Sequence, residues 1–304
     1  MNKDFFLVKR LWQLRCSPWN MTKNKNIAEQ AEDAQRLEAW LEREDPLIIM
    51  THQQVDADAA FSAALLHILR PNAAIVFAHA DAEVNQPEVI AVDMMNGTSS
   101  VKGLGVGSAF GLVVQSMKND DPLAYKALQR WGEQLNMTDS GRGCSDKVVL
   151  AELVSAWRMV GFDDQIIVER ARELLQGKID GAYRQTEMKK VAKTISIEAC
   201  GLAVVGPQHH VTSKQLFARG AKVVVREGKS GIAIVLSKKL QREGFSLKDL
   251  EGRLPKRWFI HPAGFLAAYG GPKAPKDPSK AGITRKQAAK LVRSWLSGKL
   301  KVRR

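Results

Sequence analysis

The chain has 304 residues, of which 45% are hydrophobic and 26% charged, and its formal net charge is +14. These proportions are typical of a globular protein, and the length suits one large domain or two ordinary ones. The apolar stretches are too short to span a bilayer. Three scattered cysteines form no CxxC pair, which argues against a disulfide framework and a cysteine-built zinc site and favours the reducing cytoplasm.

The positive charge is concentrated at the two ends of the chain. Residues 1–25 carry six Lys/Arg and one Asp, and residues 273–304 carry eleven Lys/Arg and one Asp, whereas the intervening residues are nearly neutral. Lys and Arg release counterions from phosphates, so basic ends on a neutral body are typical of proteins that bind a polyanion. We expect residues 1–25 to be a basic extension. We also expect nucleic acid or an oligonucleotide as a partner and no membrane partner, the alternative being that the basic ends serve solubility alone.

Helical and strand-like patterns alternate in the first part of the chain. An amphipathic helix begins near residue 26, and the apolar runs "PLIIMTH", "AAIVFAH" and "EVIAVDM" are typical of strands. Helices are predicted at residues 58–69 and 108–116, and this alternation predicts a parallel sheet covered by helices. The pattern from residue 123 to 194 is mostly helical. We therefore expect residues 26–196 to form one α/β domain with a helical connector.

The character of the sequence changes near residue 197. "CGLAVVG", "AKVVVRE" and "SGIAIVLS" are short strand-like runs, and the "GK" between the last two is typical of a hairpin turn. "TRKQAAKLVRSWL" predicts a final basic amphipathic helix with Thr284 as its N-cap. We expect residues 197–304 to form a smaller substrate-binding α/β domain with a basic tail. The predicted fold class is therefore α/β, with a parallel sheet, flanking helices, a connector and a second lobe.

Polar side chains collect where two of the predicted strands end. The first strand ends at His52, with Asp56 and Asp58 just behind it, and the third strand ends at Asp93. Ligands gather beyond the carboxyl ends of parallel strands, so we expect these groups to lie at one edge of the sheet. Each has an ordinary explanation on its own, since an aspartate can cap a helix or start a turn and a histidine can be a hydrogen-bonded core residue.

Taken together, these groups are harder to explain without a cation. Two carboxylates about 4 Å apart repel by roughly 4 kcal/mol at an effective dielectric constant near 20. Such a cluster requires a cation or a raised pKa. Oxygen ligands with one imidazole suit Mn²⁺ or Mg²⁺ better than Zn²⁺, and two such ions can clamp a phosphoester and activate water for in-line attack. We expect one or two of these ions, or none if the site is degenerate.

The stretch "IIMTHQQVDADAAFSAALL" resembles the first motif of the DHH phosphoesterases: a strand, His, three residues, Asp-x-Asp-Ala, and a helix of small residues with Ser. "EVIAVDMMNG", "GVGSAFGLVV", "MTDSGRG" and "RWFIHPAGF" resemble further motifs of the branch related to the melanocyte-proliferating-gene protein. The resemblance covers most of residues 46–296. It implies a two-lobed, metal-dependent phosphoesterase that hydrolyses phosphodiester bonds in nucleic acid or short oligonucleotides.

Position by position, the resemblance implies five metal ligands, which are His52, Asp56, Asp58, Asp93 and Asp139. Spacing alone does not indicate Asp139. We expect catalytic roles for Asp56, Asp93 and Lys102, and substrate-binding roles for Lys102, Ser108, His261, Gly264, Lys273 and Lys276. Glycines follow Lys102 in "SSVKGLGVGSAF", and their backbone amides could cradle a phosphate before the next helix, the alternative being a flexible turn.

The Asp-His-His triplet that names the DHH superfamily is absent. It aligns with "DMM", which puts Met94 and Met95 in place of the histidines, or it is lost within "TSSVKG". Thioethers are poor ligands for Mn²⁺ or Mg²⁺. Three outcomes stay open: a single-metal enzyme, a site rebuilt with His79, and a non-catalytic relative that binds nucleic acid or a nucleotide, in which Lys102 balances the carboxylates. A small-molecule phosphatase or pyrophosphatase is a further alternative.

Overall fold

The computed structural model describes residues 22–44, 46–103, 107–141, 149–228, 231–270 and 281–302. The chain forms two compact units that divide between Tyr183 and Arg184, within one long helix. Among the described residues, no helix has both the length and the apolar character needed to cross a membrane. Lys273 and Lys276 lie outside the described residues, so their predicted role in substrate binding stays a prediction.

The first unit is built on a parallel sheet with helices around it. Its elements in chain order are α1 (Thr22–Leu41), β1 (Ile48–His52), α2 (Ala57–Leu69), β2 (Ala74–Ala78), β3 (Val89–Val92), β4 (Ser100–Val101), α3 (Ala109–Asp120), α4 (Pro122–Asp139), α5 (Leu150–Met159) and α6 (Asp164–Thr194). The strand order is β2-β1-β3-β4, with every pair parallel. The three predicted strands are confirmed as β1, β2 and β3. The two-residue strand β4 was not predicted.

Helix α2 is the most buried helix next to the sheet, which follows from its sequence. Its alanines let the helix approach the sheet closely, and its first ten residues are all buried. The Phe61 ring packs edge to face against Phe110 of α3 and Trp131 of α4, with ring centroids 5.9 and 6.2 Å apart. A buried aromatic ring of this kind contributes about 2–3 kcal/mol. Helix α2, which follows the loop after β1, is therefore packed against both α3 and α4.

The second unit contains a mixed sheet. After the end of α6 its elements are β5 (Leu202–Val205), α7 (Ser213–Ala218), β6 (Val223–Gly228), β7 (Gly231–Leu236), α8 (Lys238–Arg242), a 3₁₀ turn (Leu247–Leu250), β8 (Phe259–Ile260), β9 (Leu266–Tyr269) and α9 (Arg285–Val302). The order is β5-β6-β7-β9-β8, with β5 and β6 parallel and the other pairs antiparallel. The predicted α/β fold class is confirmed.

Two local predictions in the second unit are also confirmed. Strands β6 and β7 pair antiparallel from Val223–Leu236 to Gly228–Gly231, as a hairpin requires. Thr284 caps α9, because the Gln287 backbone N–H donates to Thr284 Oγ1 at 3.2 Å and the Thr284 N–H donates to Gln287 Oε1 at 2.7 Å. The predicted domain boundary at residue 197 lies just after α6, downstream of the division between the two compact units.

Candidate metal centre

Three of the predicted ligands meet at the carboxyl edge of the parallel sheet. His52 ends β1, Asp93 follows β3, and these strands are hydrogen-bonded neighbours. Potential ligand atoms of His52, Asp56 and Asp93 all lie within 4.8 Å of one another. His52 Nε2 and Asp93 Oδ2 are 3.3 Å apart. Neighbouring ligands of an octahedral ion at about 2.1 Å are separated by about 3.0 Å, so this pair is suitably spaced, and the donor set fits Mn²⁺ or Mg²⁺.

Two cationic side chains balance the charge of Asp93. Lys102 Nζ lies 2.8 Å from Asp93 Oδ1, and His52 contacts the other oxygen. The hydrogen bond to Asp93 raises the pKa of His52 to about 9, although burial opposes this. Burial alone would raise the pKa of Asp93, but the hydrogen bonds from His52 and Lys102 outweigh it and lower that pKa. A divalent ion must therefore displace the His52 proton and share Asp93 with the Lys102 ammonium.

The backbone at the site adopts an unusual conformation. Among the described non-glycine residues, only Gln54 (φ +56°) and Asp93 (φ +55°) are in the left-handed region. Such a conformation costs roughly 1–3 kcal/mol and persists where the surrounding structure imposes it, often at functional sites. Gln54 lies in the loop between His52 and Asp56, and Asp93 is itself a candidate ligand. Both unusual conformations therefore occur in the segments that carry the candidate ligands.

Asp56 is exposed and caps helix α2. The Ala59 backbone N–H donates to Asp56 Oδ1 at 3.0 Å. A carboxylate has a second oxygen, so capping a helix and binding a cation are compatible. The ordinary role and the functional role predicted for Asp56 can therefore both hold.

Asp58 is buried and joins two helices. Its carboxylate accepts the backbone N–H groups of Ala109 and Phe110, at 2.7 and 2.8 Å, at the start of α3. Burial and the charge of Asp93 raise the pKa of Asp58 well above its usual value, and the two N–H groups oppose that shift. These hydrogen bonds account for the position of Asp58 without a metal ion. Its ligation of an ion stays a prediction.

Asp139 and Ser108 are predicted site residues that lie outside the three-residue group. Asp139 is the last residue of α4, and partial burial and the charges of Asp93 and Asp56 raise its pKa. Ser108 is fully buried, where its Oγ accepts the Gly111 N–H at 2.9 Å and is 2.6 Å from Asn136 Oδ1. These are the contacts of a helix cap. The predicted ligand role of Asp139 and the substrate role of Ser108 stay predictions.

Part of the predicted phosphate cradle is already occupied by a carboxylate of this chain. The backbone N–H groups of Lys102 and Gly103 donate to Asp33 Oδ2 at 3.1 and 3.0 Å, and Asp33 is buried on α1. Of the glycine amides expected to cradle a phosphate, that of Gly103 is therefore already taken. Residues 104–106 of this loop, which include Gly105, lie outside the described residues. Asp33 escaped prediction because α1 has the pattern of an ordinary amphipathic helix.

Met94 and Met95, which replace the two histidines in one of the two alignments of the triplet, are not arranged as a pair of ligands. Met94 is fully buried in a small apolar cluster with Val84 and Val89, whereas Met95 is 68% exposed. His79 follows β2, and its Nδ1 lies 2.6 Å from an oxygen of the exposed Asp81. Within the described part of the chain, the three-residue group does not include His79. These contacts therefore do not support the alternative in which the site is rebuilt with His79.

His261 and Gly264 form a tight turn in the second unit. The Gly264 N–H donates to the His261 carbonyl at 2.7 Å, and the Ala263 N–H donates to His261 Nδ1 at 3.1 Å. Gly264 has a φ of +71°, and a Cβ there would lie 2.0 Å from Ser246 Oγ, so the turn requires glycine. The substrate-binding role of both residues stays a prediction.

No protein-family model matches the chain, and no curated protein matches it in sequence. Solved structures that are similar to this chain include RecJ from Thermus thermophilus in complex with Mg²⁺. The match has 16% identity and a TM-score of 0.28, and it covers 88% of this chain and 52% of that one. Exonuclease RecJ bound to manganese has 15% identity and a TM-score of 0.25, covering 88% and 94%. The DHH domain of a member of the s1p family of ribosomal proteins has 10% identity and a TM-score of 0.28, covering 83% and 88%.

This chain spans about half the length of the first of these proteins. All three TM-scores are below 0.5 and all three identities are below 25%. At this level of similarity, the evidence for function lies in the residues of this chain.

Proposed function

We propose that the protein is a DHH-type phosphoesterase that uses a divalent ion to hydrolyse phosphodiester bonds in nucleic acid or short oligonucleotides. The observation that carries this proposal is the convergence of His52, Asp56 and Asp93, whose potential ligand atoms lie within 4.8 Å of one another. These residues would hold Mn²⁺ or Mg²⁺. A bound ion of this kind polarises a phosphoryl oxygen and lowers the pKa of water.

The residues around the ligands have separate roles in this proposal. Lys102 is kept protonated, since its interaction with Asp93 outweighs burial and raises its pKa. A protonated Lys102 beside the ligands would hold a phosphate oxygen as a point charge. Asp139 would complete the ligand set, and Asp58 would fix the start of α3 against α2. Asp93 has two tasks, because it orients both His52 and Lys102.

The basic C-terminal segment would supply binding energy for a polyanion. Deleting residues 273–304 is not a suitable test, because Val292, Trp295 and Leu296 of α9 are buried in the core of the second unit. Replacing Lys273 and Lys276 with serine removes charge without removing those core residues. We expect this variant to bind a single-stranded oligonucleotide more weakly and with a smaller dependence on salt concentration.

The direct test is hydrolysis of bis(4-nitrophenyl) phosphate and of an end-labelled oligonucleotide, with and without Mn²⁺. We expect turnover that requires the ion and falls at least 100-fold in Asp93→Asn. Asp81→Asn is the matched control, because Asp81 is an exposed acid that follows the neighbouring strand β2 and lies outside the three-residue group. Absence of ion-dependent turnover in the wild type would refute the proposal.

A second candidate is a non-catalytic protein that binds nucleic acid or a nucleotide. The ion pair between Lys102 and Asp93 favours it, because the cationic His52 and Lys102 neutralise the carboxylates without a metal. This candidate predicts oligonucleotide binding that weakens with salt and is unchanged by EDTA, with no hydrolysis in Mn²⁺. Ion-dependent turnover that is lost in Asp93→Asn would exclude it.

A further inference from the structure

The loop between β1 and α2 is held by a carboxylate far away in the sequence. Asp164, the first residue of α6, accepts the Gln54 N–H through Oδ2 at 2.8 Å and the Val55 N–H through Oδ1 at 3.0 Å. Gln54 is the non-glycine residue with a φ of +56° between two candidate ligands. The two oxygens of one carboxylate thus fix two consecutive amides of a strained loop.

Arg158 completes this arrangement from α5. Its Nη2 donates to Asp164 Oδ1 at 2.7 Å and to the Val55 carbonyl at 2.9 Å. Partial burial opposes ionisation of Asp164, but Arg158 and the two amides outweigh it and lower the pKa of Asp164. Hydrogen bonds to a charged group are roughly twice as strong as those between neutral groups. The Asp164–Arg158 ion pair therefore makes three hydrogen bonds to the loop backbone, at the Gln54 N–H, the Val55 N–H and the Val55 carbonyl.

Helix α6 does not need Asp164 for its own capping. The neighbouring Asp163 performs that role, since its Oδ1 accepts the Ile166 N–H at 2.8 Å and its carbonyl accepts the Ile167 N–H at 3.0 Å. The Asp164 side chain instead contacts the loop and Arg158. Asp163 therefore stabilises the start of the helix, whereas Asp164 stabilises the loop.

We propose that Asp164, held by Arg158, is a positioning residue that keeps His52 and Asp56 at the spacing needed for a shared divalent ion. Release of the loop would let Gln54 leave its left-handed conformation and would change the separation of the two ligands. The inference rests on the proposed function, because it assigns Asp164 a role toward the proposed ion. Partners of this outer kind alter metal affinity by about 10–100-fold when they are removed.

The test compares Asp164→Ala, Asp164→Asn and the matched control Asp163→Ala in the full chain. Mn²⁺ affinity is measured by calorimetry, and amide hydrogen exchange of the peptide containing residues 53–56 is measured without metal. We expect Asp164→Ala to bind Mn²⁺ at least tenfold more weakly and to exchange the Gln54 and Val55 amides at least tenfold faster. Asp164→Asn keeps one acceptor oxygen and should be intermediate. Asp163→Ala should stay within twofold of the wild type in both measurements.

Wild-type Mn²⁺ affinity in Asp164→Ala, or exchange at the wild-type rate, would overturn the positioning role. Equal effects of Asp163→Ala and Asp164→Ala would also overturn it, since general loosening of α6 would then explain both. A wild type that binds no Mn²⁺ defeats the proposed function and with it any role of Asp164 toward an ion. In that case, amide hydrogen exchange still tests separately whether Asp164 holds the loop.

Discussion

Replacing Lys102 with methionine removes the internal cation that competes for Asp93 and leaves a side chain of similar length. At 2.8 Å and an effective dielectric constant near 20, the Lys102–Asp93 attraction is about 6 kcal/mol before solvent screening. The Lys102 side chain is 31% exposed, so screening and desolvation reduce the net contribution to about 1–2 kcal/mol. Since 1.4 kcal/mol corresponds to a factor of ten, Lys102→Met should bind Mn²⁺ about tenfold more tightly than the wild type.

Calorimetric titration with Mn²⁺ at low ionic strength measures this change. Lys118→Met is the control, because Lys118 is an exposed lysine in the last turn of α3 and should not alter Mn²⁺ affinity. We expect Lys102→Met to hydrolyse phosphodiesters more slowly despite its tighter metal binding, since a phosphate loses its cationic partner. Mn²⁺ binding to Lys102→Met that is equal to or weaker than wild-type binding would refute the reasoning.

Asp58, Gly103 and His52 each give a further testable prediction. Asp58→Ala leaves two buried N–H groups of α3 without their acceptor and should lower the free energy of unfolding by about 3 kcal/mol in urea denaturation, even without metal. Gly103→Ala places a Cβ 2.0 Å from the Ser108 carbonyl oxygen at a φ of +69°, and thermal unfolding should show a loss above about 2 kcal/mol. The raised pKa of His52, about 9, adds stability that is full below pH 6.5 and lost as pH rises through 9, and Mn²⁺ affinity should increase over that interval because the ion displaces the proton. A flat Mn²⁺ affinity between pH 6.5 and 9 would contradict the assignment of His52 as a ligand.

The meeting of His52 and Asp93 was predictable because it follows from strand parallelism. Strands β1 and β3 are adjacent, so residues at their carboxyl ends reach one edge of the sheet. The sequence also pointed to Lys102 as a cation near the carboxylates, and the 2.8 Å contact with Asp93 agrees with that expectation. These inferences needed only the order of elements and the chemistry of side chains close to strand ends.

The residues that hold the loops were not predictable in the same way. Asp33 contacts Gly103 across 70 positions, and Asp164 contacts Gln54 across 110. Each of these aspartates sits on a helix, where periodicity identifies the buried face but not the partner of a polar side chain. With Asp58, they form a set of three carboxylates that each accept two consecutive amides of another segment.

The proposed site binds one divalent ion through His52, Asp56 and Asp93. Electron paramagnetic resonance of a Mn²⁺ titration tests it most directly, because it counts bound ions and detects nitrogen coupling from an imidazole ligand. We predict one Mn²⁺ per chain with imidazole coupling in the wild type, and loss of that ion in Asp93→Asn. No bound Mn²⁺ in the wild type, or the same bound ion in Asp93→Asn, would contradict the claim.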